Sequence, residues 1–160
     1  MVFGGFSGGF IGTTAFDGTR VYGATALGDF GRFDANGKAK LCDPADPHDL
    51  PTENPTTHAF DATTGAVPWQ AGQAASFAPT TEAGGLTFNG LALVADAIDV
   101  RMAATGRLLA RVRLPSANWS GIATVSDALV LGTGSDYDVR HAGIEVLTPG
   151  GTAPQVPTAR

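Results

Sequence analysis

The chain has 160 residues, of which only 16% are charged, a length that suits one domain with a real core. Its formal net charge of −5 excludes the basic face that nucleic-acid phosphates demand and disfavours anionic membrane surfaces. No stretch approaches the roughly 20 consecutive apolar residues of a bilayer-spanning helix.

In chain order, the first nine residues, MVFGGFSGG, carry neither the positive start nor the continuous apolar core of a secretory signal. Short apolar runs punctuated by Gly, Asp, Asn, Thr and Pro then follow to the end, with 22 glycines and 10 prolines spread throughout. Such runs favour strands and tight turns, and no helical periodicity competes with them. Strands are expected near 10–16 and 19–25, joined at Asp17-Gly18, and near 57–61 and 67–72, joined at Thr64-Gly65. A second set falls near 76–82, 85–91, 96–102 and 107–113, and a third near 119–125, 128–132 and 143–147. The tail at 152–160, TAPQVPTAR from the turn onward, is too proline-rich for a further regular strand.

These sets repeat. The segment AFDATTGAVPW at 59–69 recurs more weakly as VRMAATGRLLA at 100–110, with a third echo, IEVLTPGG, at 144–151. The turn glycines Gly65, Gly106 and Gly150 are spaced by 41 and 44 residues, matching the roughly 40–45-residue period of four-stranded β-propeller blades. A second landmark keeps the same phase: Asp17-Gly18, Gly84-Gly85 and Asp127-Ala128 each precede a short strand, and each follows a candidate strand containing Thr14, Thr81 or Thr124. The expected fold is therefore all-β: a first blade over about 10–72 with a loop insertion at 29–57, a second over about 76–113, and a partial third over about 119–151.

The segment at 59–69 fits the pattern A-x-D-x-x-T-G-x-x-x-W through Ala59, Asp61, Thr64, Gly65 and Trp69. It resembles the tryptophan-docking motif of the pyrroloquinoline-quinone (PQQ) type of β-propeller. Gly65 supplies the positive φ of the hairpin turn, Asp61 is suited to accept hydrogen bonds from that turn, and Trp69 is expected to cover the next blade. Burying ~150–250 Å² of indole at ~25 cal/mol per Å² contributes about 4–6 kcal/mol at most. TTEAGGLTFNG at 80–90, ATGRLL at 104–109 and LPSANWSG at 114–121 extend the resemblance, which looks like the last blades of a quinoprotein alcohol or polyvinyl-alcohol dehydrogenase. Met102 and Ala110 depart from it, standing where Asp and Trp would be in a full second motif.

The resemblance implies a ring of about eight blades, of which this chain would be the C-terminal part. The ring would be completed by the remaining blades of a longer protein or by self-association, three copies giving about eight to nine blades. Full-length relatives imply a periplasmic or extracellular location. The resemblance also implies PQQ and calcium as cofactors, the quinone lying over the central channel, and blade order puts Thr80, Thr81, Asn118 and Trp119 on or beside the inner strands that face it. An amide and hydroxyls would bond quinone carboxylates and an indole would stack on the ring; otherwise these residues pack between blades and suit strands.

The insertion holds Asp29, Asp34, Cys42, Asp43, Asp46, His48, Asp49 and Glu53 among four prolines. It is either a rim or lid on the cofactor face or a solvated acidic loop. No C-x-x-C or paired His pattern supports zinc, and Asp34-Ala-Asn36-Gly37 lacks the later ligands of a calcium loop. No metal site and no catalytic residue is assigned; His58 and His141 read as surface residues at loop–strand junctions. Cys42 is the single cysteine, so an internal disulfide is excluded. Two functions follow: a fragment of a quinoprotein alcohol or sugar dehydrogenase acting on a small-molecule substrate and inactive alone, or a non-catalytic propeller scaffold or ligand-binding module.

Overall fold

The computed structural model describes residue 10 and residues 12–25, 56–72, 76–92, 95–135 and 138–151. Most of the insertion, with Cys42 and its acidic neighbours, and the tail at 152–160 lie outside the described residues. Among the described residues, eleven strands form three antiparallel meanders. The first sheet is β1 (Ala15–Phe16), β2 (Arg20–Ala24), β3 (Thr57–Asp61) and β4 (Trp69–Ala71), in that order. The second is β5 (Thr80–Ala83), β6 (Leu86–Gly90), β7 (Ala97–Met102) and β8 (Leu108–Arg113). The third has three strands, β9 (Ile122–Val125), β10 (Ala128–Ser135) and β11 (Asp138–Leu147).

Consecutive sheets are linked through their first strands, which makes those strands the inner ones of a propeller-like stack. The Thr80 amide donates to Thr13 O (3.0 Å), and the Thr81 hydroxyl donates to Ile122 O (2.7 Å). Turns between first and second strands lie beside turns between third and fourth: Ala62 N donates to Thr19 O and Ala103 N to Gly85 O, both at 2.9 Å. At the other end, Leu114 N donates to Asp96 O (2.8 Å), placing the loops between second and third strands beside those that lead to the next sheet.

The inner strands are shorter than their sequence windows. Strand β1 begins at Ala15 rather than residue 10, because Gly12 lies so close to the second sheet that a Cβ would come within 2.5 Å of Ala78 O. Thr13 O, moreover, is already committed to Thr80. Strand β5 begins at Thr80 rather than 76: Ser76 Oγ accepts from the Ala78 amide (2.9 Å), and Pro79 has no amide to offer a ladder. The β10–β11 hairpin runs further than expected, to Ser135 and from Asp138. A register shift between Thr133 and Ser135, with Gly134 at φ +83, lets pairing persist through a Gly-rich stretch.

Alternation along the strands gives each sheet two faces. Between the first two sheets lie Tyr22, Ala59 and Ala103, with Ala15 and Trp69 packed on them. Between the second and third lie Phe88, Ile98, Leu114, Ile122 and Leu131, flanked by Leu86, Val100, Val112, Leu129 and Leu147. The far face of the third sheet is apolar and open: Val125 is 58%, Val146 51% and Ile144 77% exposed.

Candidate functional site

The docking segment is a staple between two sheets. Asp61, at the end of β3, turns its Oδ1 back over the hairpin and accepts from Thr63 N (3.0 Å), Thr64 N (2.7 Å) and Thr64 Oγ1 (2.8 Å). Those bonds hold its carboxyl below the usual carboxylate range. Gly65 closes the turn at φ +70. The chain then returns to pair Trp69 with Ala59, whose other neighbour in register is Tyr22. The Trp69 indole N–H donates to Ala103 O across the interface (2.8 Å), and its six-membered ring lies on Gly106. Arg20 adds a second bond to the same turn, from its guanidinium to Ala104 O (3.2 Å).

An analogous device holds the first hairpin. Asp17 Oδ1 accepts from Thr19 N and Arg20 N, both at 2.7 Å, and its Oδ2 accepts from the Tyr22 hydroxyl at 2.7 Å. The Tyr22 bond and the turn amides press the Asp17 carboxyl well below its ordinary range. Burial, helped by that carboxylate, pushes the Tyr22 phenol up to about 12.

An open groove of about 460 Å³ runs along β5 and β9, walled by Thr13, Thr80, Thr81, Gly121, Ile122 and Ile144. It lies against the first strands of the second and third sheets. Thr80 and Thr81 start β5 on its wall, whereas Asn118 and Trp119 sit in the loop before β9. The hydrogen-bond donors of Thr80, Thr81 and Asn118 are spent inside the protein. Thr80 Oγ1 donates to Asn89 Oδ1 (3.2 Å) and Thr81 Oγ1 to Ile122 O (2.7 Å). Asn118, fully buried, donates to Gly132 O (2.8 Å) and Ser120 Oγ (3.0 Å). Its Oδ1 has no hydrogen-bond partner and presses on Gly90, where any Cβ would collide with it. Trp119 stacks on Phe77, ring centres 5.8 Å apart and planes 23° apart. A quinone carboxylate needs donors, and the one amide atom left over here is an acceptor. Among the described residues, no group of three or more His, Cys, Asp or Glu is placed to hold a metal ion.

Two buried polar pairs escaped the sequence reading. His58 is not a surface residue: it is fully buried on β3. Gln70 Nε2 donates to its Nδ1 (3.1 Å), and its Nε2 faces Thr25 Oγ1 (3.4 Å), which suits a neutral ring protonated on Nε2. Phe10 and Phe60 flank the imidazole, and burial lowers its pKa to about 4. In the second sheet the same cross-strand position holds Asp99 opposite Arg111. The buried Asp99 carboxylate takes Arg111 Nε at 2.7 Å and Arg101 at 2.9 Å, while Arg101 also donates to Gly72 O and Gly106 O. The Asp99 contact raises the Arg111 pKa. The signal was present as a polar residue inside an apolar third strand in each repeat, but only the pairing register shows what each one meets.

No family model and no curated protein matches the chain. Among solved structures it is similar to the computationally designed Ika8 protein at 16% identity and a TM-score of 0.48, over 86% of this chain and 45% of that one. It is also similar to the computationally designed Ika4 protein at 16% identity and a TM-score of 0.44, over 85% of this chain and 89% of that one. The chain thus spans under half the length of Ika8.

Proposed function

We propose that this chain is a run of consecutive blades of a PQQ-type propeller, and that its role is to build and rigidify a ring rather than to catalyse. The observation that carries this reading is the division of labour among its polar groups. The residues on and beside the first strands spend their donors within the protein, while Asp61, Trp69 and Arg20 are spent on holding one sheet to the next. The open apolar face formed by Val125, Ile144 and Val146 supports a further blade packed there. That blade comes from the remainder of a longer polypeptide or from another copy of the chain.

A second reading, a fragment of a quinoprotein dehydrogenase, draws support from the groove along β5 and β9 and from the ring pair Phe77–Trp119 beside it. In that case the catalytic carboxylate and the calcium ligands come from other blades, and when bound the cofactor supplies hydride acceptance from an alcohol carbon.

Titration of the purified chain with PQQ and Ca²⁺, following Trp69 and Trp119 fluorescence, separates the readings once the oligomeric state is known from light scattering. A flat titration on a closed ring is expected. Saturable quenching at micromolar quinone would sink the scaffold reading and favour the dehydrogenase.

A further inference from the structure

The interface between the second and third sheets repeats the one between the first and second, with one group missing. In the first interface Tyr22, Ala59 and Trp69 occupy one cross-strand row. In the second sheet the same row is Phe88, Val100 and Ala110. Directly paired residues share a face of a sheet, so Ala110 faces the third sheet as Trp69 faces the second, with a methyl in place of an indole. Among the described residues, no side chain closes the space. A cleft of about 610 Å³ opens between the two sheets, walled by Leu86, Phe88, Val112, Leu129, Leu147 and Pro149. The turn that would receive an indole, just after β11, is present as well, with Gly150 at φ +70. At the rim stand Ser126, Asp127 and Thr148, so the seat joins apolar walls to a carboxylate and hydroxyls.

We infer that this cleft is a binding site for a small planar aromatic molecule of the indole class, taken up where the second repeat lacks its docking tryptophan. The same fold has already selected an indole for the equivalent seat, where the ring lies on a glycine and its N–H meets a turn carbonyl. Apolar cavities left by missing side chains take up ligands of the missing shape. The Asp127 carboxylate at the rim favours a neutral or amine-bearing ring over an acid. The site lies within this one chain and is independent of ring closure and of quinone binding.

The test is a titration of the full chain, with its Leu and Val methyls isotopically labelled, against indole, tryptamine and indole-3-acetate. A ligand this small is expected to bind with a Kd on the order of 0.1–1 mM. Shifts should be confined to methyls of Leu86, Val112, Leu129 and Leu147, with tryptamine and indole binding more tightly than indole-3-acetate. Ala110→Trp is expected to fill the seat and weaken indole binding at least tenfold. Absence of saturable shifts, shifts centred elsewhere, or indole affinity unchanged in a folded Ala110→Trp chain would each overturn the assignment. If that variant does not fold, the methyl map of the unsubstituted chain decides alone.

Discussion

The indole of Trp69 rests directly on Gly106, the turn glycine of the next sheet: a Cβ there would lie 2.5 Å from the indole Cε3. Gly106 also has φ +72, so its missing side chain meets two demands at once, a left-handed backbone and a flat seat for the ring. Gly65 has nearly the same φ, +70, but no atom within 4 Å of where its Cβ would stand. Alanine at Gly65 should therefore cost only the left-handed strain of about 1 kcal/mol. Alanine at Gly106 should cost about 1–3 kcal/mol more, because the turn and the indole cannot both keep their places. Urea unfolding midpoints of the two variants give the difference, and equal losses would show that the indole does not seat there.

Removing the indole itself should be costlier. Trp69→Ala is expected to destabilise by about 3–5 kcal/mol, from lost apolar contact and the cavity left between the sheets. Trp69→Phe keeps much of the packing, loses the N–H bond to Ala103 O, and should cost about 1–2 kcal/mol. Denaturant melts followed by circular dichroism check both.

Asp99 neutralises two arginines from a fully buried position. Asp99→Ala leaves Arg101 buried without its anion and is expected to cost about 3–5 kcal/mol. Arg111→Ala should cost less, since the Arg111 side chain is 36% exposed and Arg101 remains to pair Asp99. A double-mutant cycle of Asp99 and Arg111, read from unfolding free energies, measures their coupling.

His58 sets a pH dependence. Its pKa falls from 6.5 to about 4 on folding, through burial, so between those values the unfolded chain binds more protons than the folded one. Stability is therefore full above the unfolded pKa, declines as pH drops from about 6.5 to 4, and loses at most about 3 kcal/mol to this group. Asp17 and Asp61 act lower, since their depressed carboxyl pKa values remove stability only as pH falls below the ordinary carboxylate value of 3.8. Unfolding free energies at pH 7 and pH 4.5 should differ in the native chain and converge in His58→Gln, whose amide keeps hydrogen-bonding capacity without titrating. A slope that survives in His58→Gln assigns the effect elsewhere.

Local patterns made the sheets legible. The Gly84-Gly85 turn, with φ of +61 and +77, and the Asp-led turns announce themselves in sequence because positive φ and turn amides demand particular residues. The third strand of the first sheet falls at 57–61 as its alternation suggests. Strand starts were less legible, because Gly12 and Thr13 are drawn toward the second sheet by a hydrogen bond no local pattern encodes. The buried places of His58 and Asp99 were illegible for the same reason: their partners Gln70 and Arg111 are fixed by register between strands, and a one-residue slip would turn them to the opposite face.

The sequence by itself determined an all-β chain of repeated meanders, because turn chemistry and two-residue alternation are local properties that each repeat carries whole. Only the tertiary structure decided what lies between the repeats. It set Trp69 on Gly106, committed the donors of Thr80, Thr81 and Asn118 within the protein, and left a cleft between the second and third sheets. Those outcomes depend on how one sheet's face meets the next, and complementarity between faces is a property of pairs of repeats that no single repeat contains.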